Sequence, residues 1–197
     1  MTKNLDNDGF KSIVDNYDIF YIDLWGVVHN GIILHQNAIE VLEEITKSNK
    51  NYILLTNAPR PNKVVKIILE KMGMSKEIRD KVYSSGEASL SYLKKNYSDK
   101  LFYHIGPPRD FDLFADFKKN KSQNIKDSKY LLCTGLFEEQ AEDLNYFNDL
   151  LKEHINKIMI CTNPDLIVDK GNRRELCAGS VALVFEKMGG EVIYFGK

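Results

Sequence analysis

The chain has 197 residues, 43% hydrophobic and 28% charged, with 27 Lys and Arg against 28 Asp and Glu for a net charge of −1. These proportions exclude a disordered or fibrous chain, and the length gives one ordinary domain or a domain carrying a sizeable insertion. The even charge balance leaves no electrostatic case for nucleic acid or an anionic membrane surface, and no apolar run nears the roughly 18 residues that span a bilayer.

The first element in chain order is DIFYIDLWGVV, residues 18–28. Rich in Ile, Phe, Tyr and Val, it predicts a fully buried strand running into a turn at Gly26. Ala38, Val41, Leu42 and Ile45 recur at helical spacing between glutamates, which predicts an amphipathic helix over 37–47. NYILLTN predicts a second short strand over 51–57; Pro59 and Pro61 then break the chain ahead of a helix over 63–72, stopped at Gly73. A third strand is expected over 81–85 and a third helix over 87–95. Strand and helix alternate throughout, so the strands are expected to be parallel with helical crossovers. Ligands in such sheets sit beyond the carboxyl ends of the strands, where Asp23, Thr56-Asn57 and Ser84-Ser85 fall.

The pattern then restarts. Strands are expected over 101–106 and 129–135, a helix over 138–154, a strand over 157–163 and a polar loop over 165–176. A helix to Met188, a Gly189-Gly190 break and a strand EVIYFGK end the sequence at Lys197. The polar N-terminus MTKNLDNDGFKS lacks the apolar core of a signal peptide. Cys133, Cys161 and Cys177 have no paired metal-ligand spacing; an odd number of scattered thiols fits a reducing cytosol, so a cytoplasmic location is expected.

Asp23 ends an otherwise apolar strand, where a carboxylate is costly unless it is paired, hydrogen-bonded or metal-bound. It is either the cap of the next turn or a nucleophile or cation ligand. Gly26 and Gly31 bracket a tight excursion, DLWGVVHNG, of the kind that brings backbone N–H groups near a ligand. Thr56-Asn57 is an ordinary turn or a phosphate cradle at a helix start. Lys197 is a solvated lysine or the neutraliser of a phosphate. His29 follows the Asp23 turn and lines a site or is structural. Lys170, Arg173 and Arg174 belong to a solvated loop or meet an anionic substrate.

Three segments in order, DLWGVVHNG, LLTNAPR and GGEVIYFGK, together resemble the first three motifs of the haloacid dehalogenase-like superfamily. The likeness is to its class IIA phosphatases, which carry a large α/β cap after the third core strand; CTNPDLIVDKGNRRELCAGS resembles the end of that cap. The resemblance runs from about residue 18 to 197. It implies a three-layer α/β/α core with a parallel sheet and an inserted α/β cap. The expected division is core over 1–92, cap over 93–178, and a return to the core over 179–197 ending at the third motif. It further implies that Asp23 attacks phosphorus to give an aspartyl-phosphate, that Mg²⁺ is held by Asp23 and the backbone carbonyl of Trp25, that Thr56 and Asn57 hold the phosphoryl oxygens, and that Lys197 offsets their charge.

Two departures bear on activity. The family's phosphatases usually place an Asp two residues after the nucleophile as general acid, and Trp25 stands there; an indole N–H does not serve as an acid near neutrality. The fourth motif, an acidic Gly-Asp…Asp segment with the remaining Mg²⁺ ligands, is not found before Lys197, nor are the strands that would flank the Asp23 strand. The expectation is therefore a truncated or split chain with weak or absent Mg²⁺ binding. Its function is either hydrolysis of a small phosphorylated metabolite, or, in an impaired remnant or subunit, binding of a phosphorylated ligand or partner chain. A homodimer or a separately encoded C-terminal piece is the expected cover for the open strand edge.

Overall fold

The computed structural model describes residues 9–170 and 173–197. The polar stretch before Gly9, together with Gly171, Asn172 and the side chain of Lys170, lies outside the described residues.

The first unit runs β1 (Ile19–Asp23), α1 (Gln36–Lys47), β2 (Asn51–Thr56), α2 (Asn62–Lys71), the short α3 (Lys76–Arg79), β3 (Val82–Ser84) and α4 (Ser85–Asn96). Its strands form a parallel sheet in the order β1-β2-β3. Alternation along the strands decides what each face meets. Phe20, Tyr52, Leu54 and Val82 pack on Leu42 and Ile45 of α1, Val65 and Leu69 of α2, and Ile78 of α3. Each such side chain contributes about 1.5–3 kcal/mol by leaving water. The opposite face is open: Tyr21, registered with Ile53, is 66% exposed, and Tyr83, registered with Leu55, is 45% exposed. β1 pairs with β2 and forms an edge among the described strands. The expectation of a fully buried first strand is therefore corrected, because an edge strand with one bare face cannot bury residues of both parities.

The second unit runs β4 (Phe102–Ile105), a 3-10 stretch (Pro108–Asn120), β5 (Tyr130–Cys133), α5 (Leu144–Leu151), β6 (Ile158–Cys161), β7 (Ile167–Lys170), β8 (Arg173–Leu176), α6 (Ala178–Lys187) and β9 (Glu191–Tyr194). The parallel sheet has the order β4-β5-β6-β9. Helices and 3-10 turns cover both of its faces. Leu131, Cys133, Met159 and Cys161 meet Phe147 and Leu151 of α5 and Val181, Ala182 and Phe185 of α6. Phe102, Tyr130, Leu132 and Ile160 meet Leu93 of α4 and Leu113, Phe114 and Phe117 of the 3-10 stretch. Burial on both faces explains why these strands read as continuous apolar runs. The α/β class with parallel sheets is as expected, and the three-layer arrangement is complete at the second sheet.

Four expectations about the organisation are corrected. β9 does not return to the first sheet; it pairs in parallel with β6, and α6 packs in the same core. The stretch 179–197 thus belongs to the second unit. The boundary at 92 falls inside α4, which starts at the end of β3 and buries Leu93 against the second sheet. The region 165–176 is not a loop but an antiparallel hairpin, β7-β8, registered Ile167 to Leu176 and Lys170 to Arg173. The helix expected over 138–154 breaks into a 3-10 turn (Glu138–Gln140) and α5, because the Asp143 carboxylate accepts the N–H groups of Asn145 and Tyr146 and starts a new helix.

Candidate active site

The carboxyl edges of the two sheets face each other across a cleft of about 1600 Å³. Side chains of the first unit bond directly to the second. Arg60 Nε donates to Asp110 Oδ1 at 3.1 Å, Ser85 Oγ to the Thr162 carbonyl at 2.6 Å, and Trp25 Nε1 to the Asp169 carbonyl at 2.9 Å.

Asp23 ends β1, and the backbone turns at once. The N–H groups of Val28 and His29 both donate to the Leu24 carbonyl, and Gly26 N–H donates to the His29 carbonyl at 2.7 Å. Gly26 and Gly31 take positive φ values of 77° and 86°, which favour glycine. Gly31 is doubly constrained, since a Cβ there would stand 2.5 Å from the Trp25 ring. The short excursion predicted from DLWGVVHNG is this turn, with the indole folded across it.

Lys197 Nζ donates to Asp23 Oδ1 at 2.7 Å, with each side chain 37% exposed. Thr56 closes β2 beside Asp23, and its Oγ1 accepts from Ala58 N–H at 3.2 Å, which leaves the hydroxyl proton free to donate. Asp23, Thr56, Asn57 and Lys197 therefore come together as one cluster. Lys197 arrives from the second sheet, not from the strand neighbouring Asp23. The Asn57 side chain is engaged within the protein. Its Oδ1 accepts from Lys197 N–H at 2.9 Å, and its Nδ2 donates to Asp165 Oδ1 at 2.8 Å and the Lys197 carbonyl at 3.1 Å. That amide is fully occupied in holding backbone and carboxylate, so it is not a free donor to a phosphoryl oxygen.

His29 is buried and lines the cleft edge-on to Trp25. Its Nδ1 accepts Gly31 N–H at 2.9 Å, so in the neutral ring the proton sits on Nε2. Burial pushes its pKa below the ordinary value, against an upward pull from Asp23. Of the basic loop residues, Arg174 is committed to Asp169 at 2.9 Å on the exposed hairpin. Arg173 lines the cleft, and its side chain makes no hydrogen bond or ion pair among the described residues. Lys170 contributes its backbone to the hairpin.

Sequence reasoning missed Asp165 and the buried Arg60–Asp110 pair. Burial raises the Asp110 pKa, and the Arg60 guanidinium opposes it. Thr134 also bonds His104 Nε2 at 2.8 Å, extending the polar chain from Asp110 through Thr134 to His104. The rule that finds Asp23 and Thr56, polar residues at carboxyl strand ends, finds Thr134 and Asp165 when applied to β5 and β6.

Among the described residues there is no group of three or more His, Cys, Asp or Glu arranged for a metal. Asp23 Oδ2 and the Trp25 carbonyl, both without a hydrogen-bond partner among the described residues, are hard oxygen donors on one turn. They fit Mg²⁺, which commonly takes one or two carboxylates and fills its remaining positions with water and phosphate oxygens.

The parallel α/β architecture, with its cleft at the carboxyl edges of the strands, defines the class of protein. Residues 20–118 match the model of haloacid dehalogenase-like hydrolases, and the chain belongs to that family. A solved haloacid dehalogenase-like hydrolase from Brucella suis is 29% identical with a TM-score of 0.86, covering 95% of this chain and 69% of its own. A possible sugar phosphatase of the same superfamily from Cytophaga hutchinsonii is 21% identical, TM-score 0.73, over 95% of this chain and 70% of its own. A 4-nitrophenylphosphatase from Thermotoga maritima is 20% identical, TM-score 0.68, over 94% and 70%. No curated protein matches the chain.

Proposed function

We propose that the protein hydrolyses the phosphate ester of a small metabolite through an aspartyl-phosphate on Asp23. The observation that carries this is the ion pair of Lys197 Nζ with Asp23 Oδ1 beside the Thr56 hydroxyl, assembled from two sheets. An anionic nucleophile approaching an anionic phosphoryl group requires a fixed cation and preorganised donors. With the carboxylate paired to Lys197, one Asp23 oxygen attacks phosphorus in line while the other stays available to a cation; the new O–P bond forms as the ester O–P bond breaks. The leaving oxygen takes its proton from water, because Trp25 offers no acid. Water then attacks the aspartyl-phosphate, releasing phosphate and restoring the carboxylate. Thr56 donates its hydroxyl proton to a phosphoryl oxygen and Lys197 offsets the accumulating charge. Mg²⁺, held by Asp23 and the Trp25 carbonyl, would supply further charge neutralisation when bound.

The named phosphatases among the structural relatives support the phosphoryl reading. The three buried thiols, with Cys161 pushed up to about 12 by burial, suit a reducing cytoplasm. No helix of the described residues is long and apolar enough to cross a membrane. The bare edge and face of β1 support association with a second copy or another chain.

The test is hydrolysis of p-nitrophenyl phosphate with Mg²⁺. Asp23→Asn is expected to abolish turnover while leaving the melting temperature within a few degrees. Retained turnover in that variant would remove Asp23 as nucleophile. Trp25 favours a second reading, binding of a phosphorylated ligand without turnover. Calorimetry with inorganic phosphate on a chain inactive toward the ester would support it.

A further inference from the structure

The turn after β6 is more constrained than a connecting loop needs to be. Asn163 Oδ1 accepts Asp165 N–H at 3.0 Å, Gly179 N–H donates to the Asp165 carbonyl at 3.1 Å, and Cys161 Sγ donates to the Asn163 carbonyl at 3.2 Å. Pro164 packs against Gly196, where φ is 139° and a Cβ would stand 2.4 Å from the proline ring and 2.6 Å from Asn57 Oδ1. This rigid turn delivers one carboxylate to one place. Asp165 Oδ1 accepts from Asn57 Nδ2 at 2.8 Å, which fixes the amide so that Oδ1 faces Lys197 N–H. An Asn amide can hydrogen-bond in two flipped orientations, and the carboxylate, an acceptor only, selects one of them.

We propose that Asp165 is a positioning residue: acting through Asn57, it fixes the backbone of Lys197 and so places the ammonium on Asp23. The proposal deepens the phosphoryl-transfer reading and rests on it for its kinetic consequences. Lys197 is carried by β9 of the second sheet and Asp23 by β1 of the first. Their bond forms only when the two edges are docked, and the Asn57 clasp is the docking contact nearest to it in sequence, holding Lys197 by both its N–H and its carbonyl. A flipped or loosened Asn57 would offer N–H to N–H at Lys197, and the clasp would open. Misplacing a charge that acts in the transition state lowers kcat more than it raises KM.

The test compares Asp165→Ala, Asp165→Asn, Lys197→Ala and the Asp165→Ala/Lys197→Ala double variant. Asp165→Ala is expected to lower kcat for p-nitrophenyl phosphate about tenfold or more, the effect of one charge-assisted hydrogen bond, with KM within about a factor of two. Asp165→Asn, which keeps an acceptor oxygen but adds a donor that no longer excludes the flipped amide, recovers part of the loss. The double variant is no slower than Lys197→Ala alone, because Asp165 works only through Lys197. Additive losses, or no rescue by Asn, would overturn the proposal. Amide hydrogen exchange of Lys197, followed by NMR, reads the clasp without turnover: Asp165→Ala is expected to accelerate it about tenfold or more, and Asp165→Asn less. Unchanged exchange in Asp165→Ala would overturn the proposal even if the chain is active. A chain with no turnover at all but accelerated exchange would sink the phosphatase reading and keep the clasp.

Discussion

Replacing Arg60 with methionine isolates the energetics of one of the contacts that tie the two units together. The Asp110 side chain is 4% exposed and that of Arg60 23%, and they meet at 3.1 Å. Removing one partner of a buried ion pair costs about 3–5 kcal/mol, because the other charge is left desolvated. Asp110 has an escape that a permanently charged group lacks. Burial already raises its pKa, and Arg60 is the largest opposing influence. Without Arg60 the pKa rises further. An acid whose folded-state pKa is raised gives stability that is present at low pH and lost as pH climbs through the raised value. The cost of Arg60→Met is therefore expected to be about 3 kcal/mol near pH 7.5 and about 1 kcal/mol near pH 5, within the limit of about 1.4 kcal/mol per pH unit set by one proton. Urea unfolding of both proteins at the two pH values measures this. An equal destabilisation at both would refute the reasoning, and would mean that Asp110 remains charged and finds another partner.

Three further outcomes are expected. His104, buried against Phe111 and Phe114 with its pKa pushed down to about 3, folds as the neutral ring. Its contribution is complete above its ordinary value and is lost as pH falls from about 6.5 toward 3, at up to about 1.4 kcal/mol per pH unit; a His104→Gln variant should show a flatter acid limb in urea titrations. Gly31→Ala forces a positive φ on alanine and drives a Cβ into the Trp25 ring, so it should cost about 1–3 kcal/mol. Trp25 is the single tryptophan, so the same variant should shift the intrinsic fluorescence, and an unchanged spectrum would show that the ring had not moved. With Trp25 in the acid position, turnover should depend steeply on leaving-group pKa, aryl phosphates being cleaved well ahead of alkyl phosphates; equal rates for the two would reveal an acid elsewhere in the cleft.

Much of the local structure was legible in the residues themselves. Period and breakers place α1, β2 and α2 within a residue or two of where they lie, because these elements owe their limits to Gly73, to Pro59 and Pro61, and to side-chain spacing. The convergence of Asp23 with Thr56 followed from the geometry of parallel sheets, in which every strand points its carboxyl end to one side. Which sheet a strand joins is a different kind of fact. EVIYFGK has the same local character whether it pairs with β1 or β6, and only the packing of α6 against Phe147 and Leu151 puts it on β6. The same holds for the β7-β8 hairpin, whose polar residues conceal a register set by cross-strand pairing. Asn57 makes the point within a single side chain. The sequence determined that an amide stands at the end of β2, but its chemistry depends on Asp165 and Lys197, 108 and 140 residues away. Hydrogen-bond partners at such separations are fixed by how two sheets meet, and that was decided by the tertiary structure alone.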